Sequence, residues 1–243
     1  MEKTSFEHSI FKSVTLHLLP GVMAGICYFM LVPVVKSNGY PSVMALCLAG
    51  LLILIPFQLG VLIYEKKRKG NNSLKDVIPY TKPLKIWQYI VFSLLIILLS
   101  VLAFAAFGFT SDLMMPLFQW IPPGMFLDMG LNGYYEKSKL ILTYGFILLI
   151  AVIVVPTIEE LYFRGYLLPR MPSKLKGWSE LTHSGLFALY HTWTPWLFIT
   201  RTISVLPLIY IVKRKKNVYI GIIAHCLMNS IDFIIGIIII LKL

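Results

Sequence analysis

Long apolar runs separated by short polar connectors dominate the chain. Seven of them predict spans at 14–35, 43–64, 86–108, 139–163, 183–200, 202–212 and 218–241. A helix needs roughly 20 mostly apolar residues to cross a bilayer. Six of the runs come close to that length, whereas residues 202–212, at about 1.5 Å per residue, fall short and suggest a steep or re-entrant segment. The pattern predicts an all-α, polytopic transmembrane helix bundle of about seven spans. The connectors leave no room for a separate soluble domain.

Composition agrees with a lipid solvent. Of the 243 residues 58% are hydrophobic and 14% charged, and mean hydropathy is +0.78. A net charge of +11 would suggest nucleic acid in a soluble protein, but here the Lys and Arg residues sit in connectors beside apolar runs. With the N-terminus in the cytoplasm and all seven runs crossing, 17 of the 22 Lys and Arg fall inside, among them Lys3, Lys69, Arg164 and Lys213. Only Lys36, Lys137, Lys139, Arg201 and Lys242 fall outside. The positive-inside rule therefore favours this orientation. The first thirteen residues carry Glu2, Lys3, Glu7 and Lys12, and no small-residue cleavage site follows, so no removable signal peptide is expected. Cys27, Cys47 and Cys226 lie in apolar runs without metal-ligand spacing and read as small buried hydrophobes. The long outer connector, 109–138, is rich in Met, Pro and aromatics and suits an interfacial packing segment, with a role beside a substrate path as the sharper reading.

Ionisable side chains in hydrocarbon cost at least a few kcal/mol each, so those retained there are usually paired and functional. The candidates are Glu159, Glu160 and Arg164 at the inner end of the fourth span, His191 in the fifth, and His225 with Asn229 and Asp232 in the seventh. His17 matches no motif and, like His183 near the inner interface, reads as a satisfied packing residue. Helical rise puts His191 and His225 each about 10 to 12 Å from the cytoplasmic boundary, and Glu160 about 15 Å outward of Arg170. Three helices can thus bring these groups to one layer.

Residues four apart share a helix face and adjacent ones diverge by about 100°. Glu160 and Arg164 can therefore pair, leaving Glu159 free to meet His191, with Phe187 one turn before that histidine; His225 and Asn229 share another face. A carboxylate beside an imidazole in a water-poor cavity can take a proton from water attacking a carbonyl and return it to the leaving amine, a task that fits Glu159 and His191. His225 and Asn229 offer donors to the developing oxyanion, each worth about 3 to 4 kcal/mol when well placed. Other chemistries share these residues. Glu159, His191 and His225 form a conceivable zinc set, although there is no His-Glu-x-x-His helix and Asn is a poor zinc ligand. Cys226 follows His225 directly and so points away from it. A proton relay through Glu159 and His191 would suit a transporter, but repeated halves are lacking.

Glu-Glu-x-x-x-Arg at 159–164, Phe-x-x-x-His at 187–191 and His-x-x-x-Asn at 225–229 occur in order on successive spans. This arrangement resembles the CPBP family of CAAX-protease and bacteriocin-processing membrane enzymes, also called the Abi family, over roughly residues 140–232. The resemblance implies an intramembrane glutamic endopeptidase without a cofactor or metal. Glu159 and His191 would activate water, His225 and Asn229 would form the oxyanion site, and Glu160, Arg164 and Phe187 would support them. It also implies an N-terminal part of transmembrane helices with the outer connector, 1–138, and a catalytic core, 139–243, within one membrane domain. The expected partners are a peptide or membrane-protein substrate and the lipid bilayer, not nucleic acid, and the expected location is a bacterial plasma membrane. A non-enzymatic scaffold or immunity protein of the same fold is the other reading the family allows.

Overall fold

The computed structural model describes residues 7–68, 70 and 73–242. Glu2, Lys3 and Lys69 of the charge pattern lie outside them. The described residues are helical, without strands; the one β-type contact is an isolated bridge between Thr81 and Asn217. The chain is an integral membrane protein. Six helices are long and apolar enough to cross a bilayer: α1 (Ile10–Ser37), α2 (Ser42–Arg68), α3 (Ile86–Phe107), α5 (Lys137–Arg170), α7 (Pro195–Lys215) and α8 (Tyr219–Lys242). Between them lie the short outer helix α4 (Phe109–Met114) and α6 (Ser179–Tyr190).

Local chemistry fixes the ends. Ser9 caps α1 by accepting from the Lys12 amide at 3.1 Å. Gly39, at φ 75°, takes the left-handed conformation that closes the other end. The Asn217 side chain accepts from the Ile220 amide at 3.2 Å to start α8 and donates to the Lys82 carbonyl at 2.7 Å, tying the connector before α3 to the α7–α8 turn. These ties, with the Lys213–Glu180 ion pair at 2.6 Å and the Lys12–Glu65 pair at 3.7 Å, gather the basic connectors at one end of the bundle.

At the opposite end the 109–136 connector is fastened down. Tyr28 donates to the Met125 carbonyl and Ser42 to the Phe126 carbonyl, each at 2.9 Å. Phe126 and Phe118 meet Trp196 edge-on, so the connector roofs the α6–α7 loop.

The fifth and sixth spans differ from the expected 183–200 and 202–212. The fifth is the short helix and the sixth is full length. Thr194, just before Pro195, cannot remain helical and sits at φ −140°, ψ 57°. His191 has already left the helix at φ −81°, ψ 62°. Twelve residues rise about 18 Å, and the irregular stretch 191–194 completes the crossing to the first turns of α7, where Thr200 meets Thr110 and Phe107. Non-helical backbone at this depth is tolerated where protein covers it.

Two small residues of α1 supply that cover. A side-chain carbon on Gly21 would lie 2.0 Å from the Tyr190 carbonyl oxygen, and one on Gly25 2.2 Å from Thr192 Oγ1. Because neither is present, Thr192 can donate to the Gly21 carbonyl at 2.7 Å. Around this contact Tyr28, Tyr162, Phe163, Phe187 and Tyr190 form the aromatic heart of the core. On the outside, Ile86, Leu94 and Leu98 of α3 and Ile235 of α8 are half or more exposed, forming the lipid-facing surface.

α5 has two wide turns, Ile147–Val154 and Glu160–Leu167, in which hydrogen bonds skip to the fifth residue, on either side of a five-residue α segment ending at Glu159. Pro156, which has no amide hydrogen to give, interrupts the ladder between them.

A candidate active site of carboxylates and imidazoles

Glu159 and Glu160 stand at the junction between the α segment and the second wide turn of α5, and both are buried. Glu160 Oε1 lies 3.1 Å from Arg164 Nη1 and 3.0 Å from His225 Nδ1. The Glu160–Arg164 pairing expected from spacing is present, and His225 joins it. The same imidazole turns Nε2 toward Glu159 Oε2 at 4.0 Å, so a single ring bridges two adjacent carboxylates. Gly221, one turn before His225, makes room: a side-chain carbon there would sit 2.7 Å from Glu160 Oε2.

The strongest direct partner of Glu159 is Tyr190, whose hydroxyl donates to Oε1 at 2.9 Å and accepts from Gln58 Nε2 at 3.0 Å. A chain of hydrogen bonds thus runs from α2 through α6 to the carboxylate. His191, the expected partner of Glu159, makes a different contact. Its Nδ1 lies 2.8 Å from the Phe187 carbonyl. A carbonyl only accepts, so Nδ1 carries the proton and Nε2 of the neutral ring keeps its lone pair. The ring is wedged among Phe187, Tyr190 and Trp193, with centroids 4.8 to 5.1 Å away. Phe187 is buried and also carries the Arg164 guanidinium 3.9 Å over its ring. It therefore supports both Arg164 and His191.

Asn229, one turn beyond His225, donates to the Ala151 carbonyl at 2.9 Å, in the first wide turn of α5 where main-chain acceptors are left over. One amide hydrogen is committed there and the other is not. Asp232 is exposed, outside the cluster. Cys226 Sγ lies 3.8 Å from Thr157 Oγ1, directed away from the imidazoles. His17 and His183 bond to each other at 2.8 Å, and His17 also bonds to the Ser13 carbonyl, as suits buried packing residues. Among the described residues, no three His, Cys, Asp or Glu side chains converge in a way that could hold a metal ion.

Arg201, sorted among the outer charges, stands near the start of α7. It turns inward, donating from Nη2 to Thr194 Oγ1 at 3.0 Å, while Nη1 is buried without a hydrogen-bond partner. Tyr190, Gln58 and Arg201 were not among the candidate residues. Their signals were a tyrosine adjoining the key histidine, a single amide inside an apolar run, and a charge within an apolar helix.

Acidic, imidazole and guanidinium groups gathered inside a polytopic bundle define a membrane protein with an intramembrane polar site. Residues 141–231 match the family model described as Type II CAAX prenyl endopeptidase Rce1-like. This part of the chain, well under half of its length, is similar to Rce1-like domains and consistent with the CAAX-protease family of membrane endopeptidases. It holds both glutamates, Arg164, Tyr190, His191, Arg201, His225 and Asn229, whereas Gln58 and the α1 glycines lie outside it. No curated protein and no solved structure matches the chain.

Proposed function

We propose that the chain is an intramembrane glutamate-dependent endopeptidase, in which Glu159 and His191 activate water. The observation that carries this reading is one imidazole, His225, held between two buried carboxylates, with His191 just past the end of α6 and its Nδ1 turned to the Phe187 carbonyl. Glu159, oriented by Tyr190, takes a proton as water attacks the peptide carbonyl, and the C–O bond forms. His191 Nε2 accepts a hydrogen bond from the water and aims its lone pair. The oxyanion is met by a His225 N–H and the uncommitted Asn229 hydrogen. Glu159 then passes its proton to the departing amine as the C–N bond breaks. Glu160 and Arg164 fix His225 and balance charge. The carboxylate activates water itself, and no metal ion takes part in this scheme.

The distribution of Lys and Arg supports a cytoplasmic N-terminus and a site reached from the cytoplasmic leaflet, and the short connectors with the family resemblance favour a bacterial plasma membrane. Suitable substrates are peptides or membrane-protein tails, processed in peptide maturation, bacteriocin processing or CAAX-type proteolysis. The test is a comparison of membrane peptides from cells carrying the parental chain or the Glu159→Gln or His191→Ala variants, followed by cleavage of any accumulated precursor with purified protein. The variants should accumulate precursor and lose cleavage by at least about a hundredfold. Correctly folded variants that cleave at the parental rate would refute the assignment, and loss of parental cleavage on adding a zinc chelator would refute the metal-free scheme.

A further inference from the structure

Where the basic connectors gather, a cavity of about 350 Å³ opens between the connector before α3, the start of α6 and the end of α7. Tyr80, Glu180, Tyr210, Lys213, Arg214 and Lys216 line it, three cations against one carboxylate. That carboxylate is already committed, because Lys213 donates to Glu180 at 2.6 Å as well as to Ser179 at 3.1 Å. Arg214 donates from Nε to the Tyr210 hydroxyl at 3.2 Å, which orients its guanidinium. Among the described residues neither Arg214 nor Lys216 has an ion-pair partner. The lining is left with an excess of positive charge.

Sidedness and the helix dipole both favour cations in the last turn of α7. They do not account for Lys216, which lies beyond that turn at φ 50°, ψ 42°. This is the left-handed conformation that glycine or asparagine adopts with least strain. A backbone outlier of this kind points to function, and here the side chain it carries lines the cavity. The opposite wall is pinned to the same turn. The Lys82 amide donates to the Lys216 carbonyl at 2.9 Å and the Val218 amide to the Tyr80 carbonyl at 2.8 Å, so the cavity is preformed.

Its depth indicates which anion fits. Lys215, between two lining residues, holds its amine 4.1 Å over the ring of Phe92, six residues and about 9 Å into α3. Ile86 and Trp87, which begin α3, are 81% and 55% exposed and so belong to the lipid-facing surface. Beneath the cavity, Tyr80 packs on the apolar cluster of Leu168, Met171 and Ile209. Cations beside exposed apolar residues at the end of a span lie at the level of lipid headgroups.

We propose that this cavity binds the phosphate group of an anionic phospholipid, with Arg214 and Lys216 meeting its oxygens and the acyl chains lying along α3. A guanidinium fork and an ammonium suit phosphate oxygens. Glu180 belongs to the first turn of α6, so the occupant braces the helix that ends at Tyr190 and His191.

The experiment uses the full-length protein, purified in a neutral detergent and stripped of lipid. Dissociation constants come from melting-temperature titrations with short-chain phosphatidylglycerol, short-chain phosphatidylcholine and inorganic phosphate. Phosphatidylglycerol should bind at least about tenfold more tightly than either of the others. Combining Arg214→Gln with Lys216→Gly should weaken it about 25-fold, roughly fivefold for each basic residue. Lys67→Gln with Lys174→Gln removes two charges from exposed residues outside the cavity and should change binding by less than about twofold. Lys216→Gly alone should lose about fivefold in binding yet melt no lower than the parental chain without lipid, because glycine suits the left-handed turn. Arg214→Gln leaves the main chain untouched and should show the same loss, which separates binding from folding.

Equal binding of the two phospholipids overturns the assignment. So does an equal loss in the Lys67 and Lys174 control pair, which would mark diffuse surface charge. Inorganic phosphate bound as tightly as phosphatidylglycerol would assign the cavity to free phosphate and overturn the lipid reading.

Discussion

Glu160 and Arg164 offer the sharpest test of how the site is built. Their side chains are 0% and 1% exposed, and they meet at 3.1 Å. Removing either partner of such a pair strands the other charge in a low-dielectric interior, a loss of about 3 to 5 kcal/mol. Glu160→Gln leaves Arg164 facing Phe187 and a neutral amide, and Arg164→Met leaves Glu160 with His225 alone. For a chain of this size about 1 kcal/mol corresponds to roughly 2 to 4 °C. Each single variant should therefore melt about 6 to 20 °C below the parental protein in detergent micelles, followed by tryptophan fluorescence. The double variant removes both charges and should melt above the lower of the two singles, since the pair's desolvation cost disappears with it. Singles that shift by less than about 2 °C, or a double that loses the sum of both, would refute the picture of a buried, mutually dependent pair.

Tyr190→Phe removes the donor to Glu159 while keeping the ring; it should lower cleavage about tenfold with a melting loss of about 1 to 3 kcal/mol, and parental kinetics would show that Glu159 is oriented by something else. Gly21→Val places carbon atoms against the Tyr190 main chain and should abolish cleavage or folding, whereas Gly60→Ala, where nothing lies within 4 Å, should be silent. Equal behaviour of these two variants would contradict the close α1–α6 contact. Burial, aided by Lys12 and Arg170, lowers the His8 pKa from 6.5 to about 4. The neutral ring's contribution is complete above about pH 6.5 and is lost as pH falls toward about 4. His8→Gln should accordingly lose less melting temperature between about pH 7 and pH 5 than the parental chain, and an identical loss would show that His8 does not contribute.

Periodicity and apolar length revealed most of the helices because lipid imposes both. The Glu160–Arg164 pair followed from four-residue spacing. What spacing did not reveal was the bridging role of His225 or the Tyr190–Glu159 bond. Both depend on the wide turns of α5, around Pro156, and on the break after Tyr190, where the chain packs against Gly21 and Gly25. The spacing of those two glycines, four residues apart in an apolar run, was itself a legible sign of close helix approach. Arg201 was read only as a charge marking a side, because a sorting rule based on loops says nothing of where a side chain turns. The break at Thr194–Pro195 was also legible, and apolar content alone concealed it.

The two wide turns of α5 make the aim of its glutamates depend on residue number as well as residue identity. Each widened turn stores an additional residue relative to a regular α-helix, so deleting one there would tighten the coil and leave everything beyond it in place, whereas adding one would overfill the turn and rotate everything beyond it by about 100°. Glu159 and Glu160 would then swing off His225 with every functional side chain still encoded. Point substitutions test what these carboxylates contribute; a one-codon insertion upstream tests what points them.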